Sequence, residues 1–377
     1  MNKTPELIPG NTKVRLHSLD ALRGFDMFWI IGGGELFQAM AKCFPNKGLQ
    51  IMAWQMEHVP WAGFHFYDLI FPLFMFISGA TIPIALLSKL EEGASKKDLM
   101  IKIFRRMLVL VILGIIFNGT LRDGFSNARY ASVLGQIGIA YFLASMILIH
   151  THSFKARLLW LIGILAGYAA LQLWMPVPGH GAGVLTPEGC INSYIDRNFL
   201  PGRMGQGTFD ALGLLCILSA SAVTLMGSFA GHILIKKEAD TRNKLILLGS
   251  TGTGLILLAL IINPFYPVIK NCWTSTYNLL TGGISFLLVA LFYLIIDVLG
   301  VKKWSFFFRI IGINSIFIYL ISVGNLVDTG HTTRSLFGWM VKPLSENTGG
   351  LFMVIGNIIL CWLLLYFMYR KKIFIKV

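Results

Sequence analysis

The segment "HVPWAGFHFYDLIFPLFMFISG", residues 58–79, places His58 and Asp68 in a run apolar enough to enter a membrane. Taking either group out of water costs free energy unless a partner or a task compensates. Histidine side chains titrate near neutrality, which suits a general base, and a positioned base contributes about 10²- to 10⁴-fold to a rate. His58 also lies beside Trp61, Phe64 and Tyr67, so an interfacial belt of amphipathic rings is the competing reading. An ionised carboxylate inside a span costs about 2.5–3.5 kcal/mol even on lenient insertion scales, so Asp68 needs a cavity or a partner. Ten residues of continuous helix rise about 15 Å, which keeps Asp68 away from His58 unless Pro60 breaks the helix. Asp68 is therefore open to two roles, a catalytic one and a structural pairing with Arg129.

Other polar groups recur along the chain. Asp20, Arg23 and Asp26 follow one another at three-residue spacing and can reach one another along one helix face. They read either as a self-neutralising ladder or as the polar lining of a cavity mouth. Gly32, Gly33 and Gly34, followed by Glu35, clear one helical turn of side chains. Such a turn serves close helix packing or lets a slender ligand lie against the backbone. Arg105 and Arg106 follow Lys96, Lys97 and Lys102, and serve as snorkelling anchors or as a phosphate-binding cluster. Asn314, in "RIIGINSIFIYL", is a buried amide that either bonds a neighbouring helix or reaches the same cavity.

The elements that must position these groups are spans. Of 377 residues, 55% are hydrophobic and 13% charged, and several runs reach the ~20 residues needed to cross a bilayer. The reading is an all-α polytopic membrane bundle of about ten helices, forming a single domain over residues 1–377. The predicted spans are 19–41, 63–88, 100–119, 131–150, 157–174, 211–235, 244–263, 276–299, 304–323 and 350–369. Of the 32 Lys and Arg residues, 21 fall on the side that holds the N-terminus. Nine fall opposite, among them Arg129, Lys270 and Arg334. That asymmetry places both termini in the cytoplasm. The net charge of +14 is thus an orientation signal, and no nucleic-acid partner is expected. Asp26 and Glu35 argue that the first span is retained rather than cleaved as a signal peptide. Two long loops, 175–210 and 324–349, lie on the outer side. The five cysteines have no metal spacing, and no metal is expected. Cys43, Cys190 and Cys272 fall in outer loops where a disulfide is chemically feasible, with no pairing selected.

The blocks "RLHSLDALRGFDMFWIIGGG" (15–34), "HVPWAGFHFYDLIFPLFMFISG" (58–79), "RYASVLGQIGIAYF" (129–142), "YIDRNFLPG" (194–202), "LSASAVTLMGSFAG" (218–231), "WTSTYNLLTGG" (273–283) and "IIGINSIFIYL" (310–320) occur in that order. In this the chain resembles bacterial relatives of heparan-alpha-glucosaminide N-acetyltransferase. The resemblance implies a transmembrane acyltransferase of the bacterial inner membrane. Such an enzyme moves an acetyl group from cytoplasmic acetyl-CoA to an amino sugar or other saccharide on the far side. It implies His58 as the active-site histidine and Asp68 as the intramembrane acid of the same block. The pantetheine arm would pass Gly32, Gly33 and Gly34. The phosphates would stay near the inner cluster of Asp20, Arg23, Arg105 and Arg106, with Asn314 on the same path. The sequence departs from the family where an asparagine before the triple glycine is replaced near Ile30. It departs again at "VLGQ" (133–136) and "DALGLL" (210–215), where the family has "VLQR" and "DPEGLL". Membrane lipids are expected neighbours, and a homodimer stays open. A sugar or lipid-precursor transporter or flippase is the competing class, using the same polar core without breaking a thioester.

Overall fold

A computed structural model describes residues 16–120, 124–236, 239–322 and 329–375. Lys3, Lys13, Arg15, Arg122, Lys237 and Lys376 of the charge pattern lie outside the described residues, as does part of the expected loop 324–349. The described chain is helical, with only isolated bridges such as Ala62 to Ile269. Seven helices are long and apolar enough to cross a membrane: Phe66–Glu91, Val133–His150, Phe154–Trp174, Leu214–Ile235, Thr241–Ile262, Ser275–Val298 and Glu346–Arg370. A further pair, Ser305–Ile313 and Ser315–Ser322, is bent by 79° at Asn314 and makes an eighth candidate. The chain is a polytopic helical membrane protein.

The expected spans at 19–41 and 100–119 are helical but too polar to join that set. The first runs from His17–Phe28 through a π-helical turn at Trp29–Gly33 into Gly34–Cys43. Gly32 has φ 144° there, a conformation open to glycine and strained for other residues. The expected loop 324–349 is largely helical among its described residues, with Thr329–Val341 and the start of Glu346–Arg370 falling inside it. Sequence reading placed this stretch between two predicted spans as a loop. The loop 175–210 holds one helix of its own, Ile191–Phe199.

Two helices form the centre of the bundle, Leu214–Ile235 and Phe66–Glu91, with 78% and 72% of their apolar windows buried inside the protein, whereas in Thr241–Ile262 the share is 17%. The outer helix directs Leu257, Leu260 and Ile261 away from the bundle, where lipid replaces protein as solvent. Without a hydrophobic force between spans, small residues let backbones approach closely. A Cβ on Gly227 would overlap the carbonyl of Phe76, and one on Gly231 that of Ala80. Gly24 and Gly312 bring the first helix against Ser305–Ile313 in the same way. The contacts at Gly227 and Gly231 hold the helix carrying Asp68 at its N-terminus in register with the core.

Gly227→Val is expected to lower the melting temperature in detergent, because overpacking at a backbone contact costs about 1–3 kcal/mol or more. Gly249, which faces open space, supplies the control. Gly249→Val should melt within a degree or two of wild type, and equal melting of both variants would contradict this packing.

Candidate active site

Asp68 does not sit mid-helix. It occupies the third position of a short 3-10 turn, Phe66–Leu69, that opens the helix continuing through Ile70–Ile82. His65 caps this turn, and its backbone N–H donates to Asp68 Oδ2 at 3.1 Å. The unpaired N–H groups and positive dipole end of a helix favour a carboxylate there. The preceding segment, residues 56–65, is not helical and doubles back. Gly63, at φ 122°, donates its N–H to Val268 O at 2.9 Å. Of the two cases the sequence left open for His58 and Asp68, the structure takes the one with a break near Pro60, because the helix begins only at Phe66.

His58 Nδ1 lies 2.7 Å from Asp68 Oδ1. Lys270 Nζ lies 3.1 Å from the same oxygen, 2.7 Å from His58 Nδ1 and 3.1 Å from His58 Nε2. The proposed pairing of Asp68 with Arg129 is corrected. Arg129 instead makes a two-pronged ion pair with Asp210, at 2.8 and 2.7 Å. Lys270 takes the place beside Asp68 because the antiparallel bridge between Ala62 and Ile269 carries its segment across the His58 loop. Tyr277 OH donates to Asp68 O at 2.7 Å and fixes the turn from below.

The side-chain exposures are 52% for His58, 17% for Lys270 and 0% for Asp68. A buried carboxylate is thus neutralised by one amine and oriented toward one accessible imidazole. Burial pushes the Lys270 ammonium down from the ordinary lysine range, and the Asp68 charge opposes that shift. If Asp68 holds His58 in the Nδ1–H form, Nε2 keeps its lone pair and can take a proton. The Tyr67 ring, 5.0 Å from the imidazole centroid, walls one side.

At the opposite end of the helix bearing Asp68, a cavity of about 240 Å³ is lined by Arg23, Ser78, Thr81, Arg106, Ser315 and Ile375, among others. Arg106 stacks on the Tyr141 ring at 4.2 Å, and its Nε has no hydrogen-bond partner. Arg23 lies 3.7 Å from Asp20. An apolar neck of about 20 Å³ abuts this cavity and shares Phe74, Leu134, Ile137 and Ile316 with it. Met27, Ile30, Phe71, Val133 and Tyr319 complete the neck. Phe71 in turn touches Trp273 at 5.5 Å, three residues from Lys270.

The other expected residues are placed as follows. Arg105 is exposed and outside the cavity wall, whereas its neighbour Arg106 lines it. Asp26 is fully buried and its carboxyl oxygens have no hydrogen-bond partner among the described residues, so the ladder ends at Arg23. Gly32, Gly33 and Gly34 pack against Ile358, Phe28 and Tyr67, and these neighbours fill the space the absent side chains leave. Asn314 is committed at both ends of its amide, donating to Ile373 O and accepting from Ile375 N, each at 3.0 Å. It shapes the cavity indirectly by seating Ile375 in its wall.

Lys270 is the residue that sequence reasoning missed as part of the site. It counted only as an outer positive charge. The available signal was a single lysine in "PFYPVIKNCWTSTY", between two apolar stretches.

The chain is similar to heparan-alpha-glucosaminide N-acetyltransferases. The human protein of that name is 28% identical and the mouse protein 25%, each over 96% of this chain. The chain spans 60% of the length of each of these relatives. Residues 15–171 match the family described as "Domain of unknown function (DUF5009)".

If Lys270 balances Asp68, Lys270→Met leaves a buried charge short of a partner and should destabilise the protein by up to about 3–5 kcal/mol. Asp68→Asn/Lys270→Met should recover part of that loss. Additive loss in thermal melts of the double variant would show that the two residues act independently.

Proposed function

We propose that this protein is a transmembrane acyltransferase. It takes an acetyl group from acetyl-CoA on the cytoplasmic side and passes it to an amine or hydroxyl of a saccharide on the other side. The observation that carries this reading is the imidazole of His58, held by a buried acid and a buried amine at the bundle end opposite the Arg23 and Arg106 cavity. The excess of basic residues at the cavity end supports a cytoplasmic placement for it, and for both termini. In a bacterium the host is the inner membrane.

Each part has a physical task. Guanidinium groups match phosphate oxygens bidentately, and Arg106 presents an Nε with no partner. Ser78 lines that cavity and Asp68 lies ten residues earlier on one helix, about 15 Å away. A long thioester-bearing arm suits the apolar neck between them. His58 Nε2 takes the proton of the acceptor as it attacks the thioester carbonyl. Lys270 Nζ, 3.1 Å from Nε2, is placed to donate to the oxygen on which negative charge develops. The sulfur then leaves with the proton from the imidazolium. In a two-step route the imidazole itself carries the acetyl group before the acceptor arrives. Asp68 orients the ring in either route.

His58→Ala removes a half-exposed side chain, so melting should change little. Transfer should fall by at least about 10²-fold while acetyl-CoA still binds. Full activity in that variant would sink the mechanism. Replacing Arg106 with Gln should weaken acetyl-CoA binding several-fold at unchanged stability, whereas Arg105→Gln should leave it nearly unaltered. Equal losses for the two arginines, measured by calorimetric titration, would contradict the cavity assignment.

A further inference from the structure

The segment that presents Lys270 also carries Cys272, and behind it lies a cluster that the transfer chemistry does not use. Cys190 is the N-cap of helix Ile191–Phe199, and its sulfur lies 3.6 Å from that of Cys272. Both are fully buried. The two residues are 82 positions apart, so their approach is a property of the fold and not of the local chain. A small shift closes this gap to a bond.

We propose that Cys190 and Cys272 form a structural disulfide that ties the 175–213 loop to the segment presenting Lys270. The inference rests on the reading that these loops face away from the cytoplasm, where thiols are not kept reduced. The surroundings fit this role. The backbone carbonyl of Cys272 accepts from Tyr168 OH at 2.8 Å and from Gln172 Nε2 at 3.0 Å. Asn192 bridges the same cluster, donating to Tyr168 OH at 2.6 Å. Cys272 is thus already fixed from the backbone side, and Cys190 meets it from the loop side. Trp61 Nε1 donates to Leu185 O at 2.6 Å, which binds the same loop to the His58 segment. Cross-linking the two cysteines would hold all three segments around the imidazole. The remaining described cysteines differ. Cys43 is half-buried at the end of helix Gly34–Cys43, Cys216 accepts from Asn192 Nδ2 at 3.4 Å and contacts the backbone oxygen of Asn271 at 3.6 Å, and Cys361 contacts the hydroxyl of Ser322 at 4.0 Å.

The oxidation balances with a small disulfide as oxidant. The Cys190 thiolate attacks that disulfide, forms a mixed disulfide and releases one thiol, which takes up the proton. The Cys272 thiolate then attacks the Cys190 sulfur and releases the second thiol. Two protein thiols are oxidised and one small disulfide is reduced to two thiols. Because both sulfurs are buried in the folded protein, the exchange belongs to folding, before the loop closes.

The test uses full-length protein purified from membranes without reductant, unfolded in a maleimide reagent and digested. Cys43, Cys216 and Cys361 should carry label, while Cys190 and Cys272 appear as one linked peptide pair and label only after reduction. The melting temperature should drop by several degrees on reduction. Cys190→Ala and Cys272→Ala should each start at the lower value and fall no further. Complete labelling of Cys190 and Cys272 before reduction overturns the disulfide. So does a reduction-dependent drop that persists in both variants. An Ala182→Cys reporter in a separate sample, probed with an impermeant maleimide, separates the two claims. Free Cys190 and Cys272 with the reporter open to the outside defeat the cross-link alone. A reporter reached only from the cytoplasmic side defeats the topology on which it rests.

Discussion

A carboxylate with no exposed surface, Asp68, sets the terms for the end of the bundle where it lies. In a low-dielectric surrounding such a charge must be compensated, and four groups compensate it together: the Lys270 ammonium, the His58 imidazole and the backbone N–H groups of Val59 and His65. These partners come from segments more than two hundred positions apart in sequence. The need to satisfy one charge therefore draws the 56–65 loop and the 267–274 segment together. The antiparallel bridge between Ala62 and Ile269 is the backbone counterpart of that side-chain cluster. Burying the acid also has a chemical consequence, since it leaves the imidazole as the accessible member of the set.

The rest of the molecule keeps this cluster aligned with the opposite end. The glycines at 227 and 231 lock the helix that starts at Phe66 against the central helix Leu214–Ile235. That helix contributes Asp68 to one end, Phe71 and Phe74 to the apolar neck, and Ser78 and Thr81 to the basic cavity. One rigid element thus touches every part of the proposed path. The neck holds little more than a single water. Passage of a thioester-bearing arm requires side chains such as Phe74 and Ile316 to move, which rotamer changes in an apolar lining permit at modest cost.

Much of this was legible in the residues themselves. Long apolar runs must form helices in lipid because every backbone group has to be satisfied within the segment, so most spans were evident. His58 and Asp68 stood out because polar groups in such runs are costly. Their contact was left open, since a continuous helix would separate them, a break at Pro60 would not, and only the fold shows that residues 56–65 turn back. Lys270 was hidden for a related reason: its partner is 202 positions away, and a solitary lysine beside a span reads as a topology mark. Arg105 and Arg106 were indistinguishable by type and spacing, and only the direction of helix Lys96–Phe117 separates the cavity-lining residue from the exposed one. Asn314 was recognised as buried, yet its partners lie in the C-terminal segment 373–375, which carried no pattern to announce them.

The central claim is that an acyl group supplied at the Arg23 and Arg106 end emerges at the His58 end. Sealed vesicles of known orientation, given acetyl-labelled acetyl-CoA only on the cytoplasmic face and a saccharide amine only on the other, test it directly. The account predicts label on the acceptor, with the CoA moiety recovered on the side where it was added. Label that stays on acetyl-CoA while the saccharide itself crosses the membrane would contradict it, and would make the protein a transporter.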